Sequence, residues 1–193
     1  MARRKRRQGE ASQRIPSPPP EKLRCRDFLS SLTTIEAYLG LQAFLDGLPE
    51  EERHHERRYL ARTDLYYLVR YELHRTDVGR QWLLDRCREI QADPDGRLDL
   101  WPREFYKSTL VTFALTIRDI LASHGDQPIP DWNGLEPTFG IFSHTRPNAK
   151  QFLRQIKTEL ESNEDLKALF PDILWSHPKR EAAKWSEDDG ISV

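Results

Sequence analysis

The sequence predicts an α/β fold: an α-helical lead-in over residues 27–96, then part of a parallel sheet with crossover helices over residues 97–193. Three observations predict it. From Asp27 to about Gln91 the apolar residues recur at helical spacing. After Gly96 short apolar runs alternate with helical stretches, in the order strand, helix, loop, strand, helix, strand. The 193 residues also carry 5 Trp, 6 Tyr and 8 Phe, enough large side chains to fill a core although charged residues reach 32%.

Residues 1–26 read as a disordered basic tail. Nine Lys and Arg stand there against Glu10 and Glu21, a local charge of +7 that leaves −8 on the remainder of a chain whose net charge is −1. The block Arg3-Arg4-Lys5-Arg6-Arg7 repels itself, and Ser17-Pro18-Pro19-Pro20 cannot continue a helix. A basic arm on an acidic body is one nucleic-acid footprint, and it is equally a solubilising tail.

The lead-in is read element by element. Leu32, Ile35, Leu39 and Phe44 predict a helix ending at Gly47. Pro49 followed by Glu50, Glu51 and Glu52 opens a second, because Pro suits the first turn and carboxylates suit the positive dipole end. Thr63 is a candidate cap for a helix over Asp64–His74, with Leu65, Leu68, Val69 and Leu73 on one face. A fourth helix carries Trp82, Leu83, Cys87 and Ile90, and Asp93-Pro94-Asp95-Gly96 ends it in a turn.

Leu98–Trp101 is the first strand candidate, followed by a helix from Ser108 to about Ser123. Residues 124–137 hold Gly125, Pro128, Pro130, Gly134 and Pro137 and read as a loop. Thr138–Ser143 is the second strand candidate. Thr145-Arg146-Pro147 caps a long helix to about Ser162, burying Phe152, Leu153, Ile156 and Leu160. A helical turn at Leu166–Phe170 closes at Pro171, and Ile191-Ser192-Val193 begins a third strand.

No run reaches the roughly 18 apolar residues of a membrane span. The basic N-terminus lacks the apolar stretch of a secretory signal. Cys25 and Cys87 are too few for a disulfide framework and suit a reducing interior.

Chemistry concentrates in Trp101-Pro102-Arg103-Glu104-Phe105-Tyr106-Lys107-Ser108-Thr109, between a predicted strand and a predicted helix. A phosphate-binding loop uses that setting, because backbone N–H groups and the helix N-terminus face the anion. A Lys then reaches the terminal phosphates and the next hydroxyl binds Mg²⁺. Lys107, Ser108 and Thr109 occupy those positions, whereas the glycines of the common pattern are replaced by Trp101 and Tyr106. The competing interpretation is a solvated Lys at a helix start.

The stretch LDLWPREFYKSTLVTFALTIRDIL resembles the divergent Walker A region of phage large terminase subunits, the ATPases that pump DNA into viral capsids. That family commonly places an Arg four residues before the Lys, as Arg103 stands before Lys107. IFSHTRPNAKQFLRQIKTELESNEDLKALFPDI and KWSEDDGISV also resemble it, as do RTDLYYLVRYELHRTDV and WLLDRCREIQ upstream, so the likeness covers roughly residues 60–193.

The resemblance implies a partial P-loop NTPase domain. It implies that Pro102, Arg103, Glu104, Phe105, Tyr106, Lys107, Ser108 and Thr109 bind nucleotide, with ATP and Mg²⁺ as cofactors. Arg103 and Lys107 would be catalytic, the first as a charge sensor or arginine finger and the second on the β/γ-phosphates; Ser108 would ligate Mg²⁺. Implied partners are double-stranded DNA, a small terminase subunit and the portal of the procapsid, in a ring of identical subunits, with no membrane and with the cytoplasm of a bacterial host as location. Tyr106 stands where many family members have Gly, and Glu104 where a small residue is frequent. The family's Walker B acids, catalytic Glu and nuclease domain are expected beyond Val193, so this stretch alone is expected to hydrolyse ATP negligibly. The alternatives are a non-enzymatic nucleic-acid or capsid-assembly adaptor and an inactive prophage remnant.

Other constellations carry a structural interpretation beside the functional one. His54-His55 with Glu51 or Glu52 could meet a metal, but adjacent side chains diverge on a helix. His144 could meet nucleotide or cap the following helix. Tyr66, Tyr67 and Tyr71 could stack on bases, with Arg62 beside them, or pack internally. Cys87 is read as a small core residue, and Glu161, Glu164 and Asp165 as a solvated helix end.

Overall fold

A computed structural model describes residues 24–27, 29–92, 100–123 and 137–193. Residues 1–23 of the expected tail, the turn Asp93–Gly96, Leu98 and residues 124–136 of the expected loop lie outside the described residues; at the tail's end Cys25–Asp27 form a 3-10 turn with Cys25 buried, so order begins before Asp27.

The described chain is mostly helical, and the expected parallel sheet with crossover helices is not what it forms. Its sheet has two strands, β1 (Trp185–Ser186) and β2 (Gly190–Ile191), paired antiparallel with Trp185 opposite Ile191. The third strand expected at Ile191 is therefore one arm of a local hairpin. Its turn, Glu187-Asp188-Asp189-Gly190, ends in an Asp-Gly pair, and Gly190 takes a φ of +94° that a side chain would strain. Among the described residues, neither of the other strand candidates forms a ladder. Leu100 and Trp101 are irregular, and Thr138–Ser143 is extended but unpaired. Leu100 is 81% exposed and Phe142 94% exposed, so β-prone side chains there lack the neighbouring strand that would bury them.

The helices follow their capping chemistry. Thr34 accepts from the Ala37 N–H at 3.2 Å and starts α1 (Ile35–Asp46). Pro49 precedes α2 (Glu50–Thr63), whose first turn holds Glu50, Glu51 and Glu52. Asp64, not Thr63, caps α3 (Leu65–Tyr67) by accepting from the Tyr67 N–H at 3.0 Å. The chain continues from α3 as a π-helical stretch, Leu68–Glu72, which closes with the Leu73 N–H on the Leu68 carbonyl. α4 (Gln81–Ala92) follows. A second π-helical stretch, Ser108–Leu115, runs into α5 (Thr116–Ser123). Thr145 precedes α6 (Arg146–Ser162), and Asn163 accepts from the Leu166 N–H at 2.8 Å to start α7 (Glu164–Leu169). A last turn, α8 (Pro178–Glu181), leads to the hairpin.

One core joins these helices. Leu60, Leu65, Leu68, Leu83, Leu84, Leu110, Ile117, Leu121, Ile156, Leu160 and Phe170 are all buried in it. α2 packs on α5, α3 on α4, and α6 on the Ser108–Leu115 stretch. On α1 the buried face is Tyr38, Leu41 and Leu45, whereas Leu39, one of the residues whose spacing predicts the helix, is 62% exposed. Two polar networks cross the interior. Asp64, fully buried, accepts from the Tyr38 hydroxyl at 2.6 Å and from Arg88 at 3.0 Å. Glu72 receives both arms of the Arg57 guanidinium, at 3.0 and 2.7 Å, and its carbonyl accepts from Asn163 at 2.8 Å.

Candidate nucleotide-binding site

The loop singled out by sequence ends on a helix start. Lys107 occupies the cap position, and the Leu110 N–H closes the first turn on the Tyr106 carbonyl at 2.9 Å. Getting there requires two left-handed residues, Glu104 at φ +67° and Tyr106 at φ +58°. Neither is glycine, and each such conformation costs about 1–2 kcal/mol. Tyr106 therefore supplies the turn for which the common phosphate-loop pattern uses Gly. Aromatic packing offsets the strain: the Trp82 ring of α4 lies 5.7 Å from Phe105 and 6.3 Å from Tyr106, the latter edge-on.

The segment from Trp101 to Thr109 lines a hollow of about 420 Å³. Arg103, Glu104, Lys107 and Ser108 are exposed in it, and Thr109 is half-buried. Among the described residues, neither Arg103 nor Lys107 enters an ion pair. Ser108 and Thr109 also border a larger groove of about 980 Å³, whose opposite wall is α6 with Arg146, Lys150 and Arg154 and whose end carries Arg75. Asp77, held below the usual carboxylate range by the two-armed Arg75 guanidinium and by the Tyr106 hydroxyl, fixes Arg75 beside the loop.

These residues fit a polyphosphate. An exposed ammonium, two hydroxyls and a helix N-terminus converge where anions are stabilised by backbone N–H groups and the dipole. No group of three His, Cys, Asp or Glu side chains is placed to cage a metal among the described residues. Mg²⁺ bound with a nucleotide does not require one, because it keeps several waters and takes its remaining ligands from one or two side chains and the phosphates.

The other sequence candidates separate from this site. Tyr66 and Tyr67 are buried, Tyr66 edge-on to Tyr38 at 4.7 Å, and Tyr71 stacks on Tyr38 at 6.4 Å, so the base-stacking role gives way to packing. Arg62 lies over the Phe170 ring at 5.8 Å. Cys87 is a core residue whose thiol burial pushes up. His54 has Nε2 3.3 Å from the Ala168 carbonyl, tying α2 to α7. His144 is exposed before the Thr145 cap. In the acidic cluster Glu164 and Asp165 are exposed, as a solvated helix end is, and meet Lys167 at 2.7 Å and His74 at 3.2 Å, whereas Glu161 is partly buried, pairs with Lys179 and accepts from the Trp185 indole at 3.3 Å.

Sequence reasoning missed the cationic wall of the larger groove. Its signal was present: Arg146, Lys150 and Arg154 stand four residues apart, which puts them on one helix face.

No protein-family model matches this chain, and neither a curated protein nor a solved structure matches it. No helix among the described residues is long and apolar enough to cross a membrane.

Proposed function

We propose that the Trp101–Thr109 loop binds Mg·ATP, and that the chain is the N-terminal ATPase portion of a viral DNA-packaging motor of the large terminase type. The observation that carries this reading is the pair of left-handed residues that turns the loop and sets Lys107 at the N-terminus of the Ser108–Ser123 helical segment. The parallel sheet that the resemblance implied forms no part of the argument.

In this reading Lys107 neutralises charge on the β- and γ-phosphates. Ser108 offers its Oγ to Mg²⁺, and Thr109 with the first amides of the helix holds the phosphate oxygens. Arg103, exposed four residues ahead, supplies a second cation where charge develops on the transferred phosphoryl group. Bound Mg·ATP supplies a reactive phosphoanhydride. In the full motor its hydrolysis would drive duplex DNA into the procapsid, with the small terminase subunit and portal as partners and a ring of copies as the working form.

Isothermal titration of Mg·ATP into wild type and Lys107→Ala tests the reading. Wild type is expected to give a saturable heat that the variant loses. Identical heats in the two proteins would remove the nucleotide site.

A further inference from the structure

The cations of the larger groove are held by the hairpin. Asp188 accepts from Arg146 at 2.8 Å and also pairs with Lys150, while Glu187 takes both arms of Arg154 at 2.9 and 2.6 Å. Salt-bridge and hydrogen-bond donation from these cations holds both carboxyls below their usual range. Three consecutive cations of one helix face thus meet anions of a single turn, at steps of about 6 Å along α6.

We infer that the groove along α6, facing the Ser108–Leu115 stretch, takes the phosphate backbone of a nucleic acid on its α6 cations, and that the hairpin turn occupies those cations in the free chain. The inference names the DNA-contacting surface of the proposed motor, and rests on that reading for the polyanion being duplex DNA. Three features favour a backbone. The cation row extends over about 12 Å, two such steps, and so suits anions separated by whole sugars better than the directly linked phosphates of one nucleotide. Arg146 and Arg154 present forked guanidiniums that match phosphate oxygens. Gln151, Gln155 and Thr158 face the same groove and supply the neutral donors that accompany phosphate contacts. Glu159, the acid of the groove lining, is engaged by Asn163 at 2.7 Å, and Arg75 is neutralised by Asp77. The row on α6 is therefore where an incoming backbone gains most. Each pair that holds it has at least one exposed partner, and such pairs exchange partners readily because water and salt screen them. Displacement of Glu187 and Asp188 would free the hairpin as the backbone enters.

Fluorescence anisotropy of a labelled duplex of about 20 base pairs, titrated with the full chain from about 50 to about 200 mM salt, tests this. The combined variant Arg146→Gln, Lys150→Gln, Arg154→Gln is expected to bind at least roughly tenfold more weakly, with a salt slope reduced by about three. Glu187→Gln with Asp188→Asn is expected to bind several-fold more tightly. Glu50→Gln with Glu51→Gln, which changes net charge equally at the start of α2, is expected to stay within about twofold of wild type. Unchanged affinity and slope in the triple variant would overturn the inference, as would equal gains from the two acid pairs. Should the triple variant lose its helical circular dichroism, the comparison of acid pairs decides alone. Displacement of the duplex by Mg·ATP at equal phosphate concentration would reassign the groove to nucleotide and overturn it too. Lys107→Ala is expected to keep duplex binding, so failure of the ATP site and failure of this groove are read separately.

Discussion

The Trp82 indole meets the Tyr106 ring edge-on at a centroid distance of 6.3 Å, so that α4 braces the residue directly before Lys107. Tyr106 is also the residue at φ +58°. A buttress and a strained backbone therefore coincide one position ahead of the proposed phosphate contact.

That coincidence makes Tyr106 a discriminating position. Tyr106→Ala loses the packing and keeps the unfavourable conformation, whereas Tyr106→Gly loses the packing but relieves the strain. The Gly variant is expected to be more stable than the Ala variant by about 1 kcal/mol. Urea denaturation of both checks it.

Asp64 is the most demanding polar residue of the interior. It is fully buried, caps α3 and accepts from both Tyr38 and Arg88. Asp64→Ala removes the acceptor of the Tyr38 hydroxyl, the helix cap and the carboxylate partner of an arginine that is two-thirds buried, and is expected to cost about 3–5 kcal/mol. Asp64→Asn keeps an acceptor for the cap and is expected to cost less. Equilibrium unfolding of the two variants ranks them.

Alkaline pH should weaken the fold in a defined window. Burial, then the neighbouring Tyr71, pushes the Tyr66 hydroxyl up to about 12, against an ordinary value near 10. The folded chain then holds a proton that the unfolded chain has released. The stability from Tyr66 is complete below about pH 10 and is lost as pH rises from there to about 12. Thermal melts between pH 9 and 12 are expected to fall less steeply for Tyr66→Phe than for wild type.

The acid limb has the opposite sign. Arg58, donating to both oxygens of Asp172 at 2.6 and 2.8 Å, holds that carboxyl below its usual range. This contribution is present above the ordinary carboxylate pKa of about 4 and disappears as pH falls through the lower folded value. Asp172 is half exposed, so Asp172→Asn is expected to cost about 0.5–1 kcal/mol at neutral pH and less in acid, once pH has fallen through the folded value. Denaturation at the two pH values checks the difference.

Cys25 and Cys87 are both fully buried, and burial pushes each thiol well above its ordinary value. A thiol reagent such as DTNB is expected to label neither in the folded chain and both in denaturant. Rapid labelling under native conditions would contradict the burial.

Much of the helical framework is legible in the sequence because its signals are local. Pro49 with three glutamates, Thr145 with Pro147, and the apolar rows of Leu65–Leu73 and Leu83–Ile90 need no distant partner to be read. The strands are not legible there for the converse reason. Thr138–Ser143 has β-prone composition, but a strand exists only through its ladder, and no described segment pairs with it. Ile191 signals only one arm of the hairpin; the Asp189-Gly190 turn that folds it back on Trp185 is the other local signal. At the site, Lys107, Ser108 and Thr109 were legible as a helix start, since hydroxyls and charge favour that position. Tyr106 in a left-handed conformation was not, because nothing about a tyrosine announces φ +58°. The cation row on α6 was written in its spacing of four, but its partners lie more than thirty residues away.

The central claim is that phosphate is bound by the start of the helical segment at Ser108. Amide hydrogen exchange with and without Mg·ATP tests it at the residues concerned. Slowed exchange confined to about Tyr106–Leu110, abolished by Lys107→Ala, is the expected result. Unchanged exchange there, or protection that appears elsewhere and survives Lys107→Ala, would contradict it.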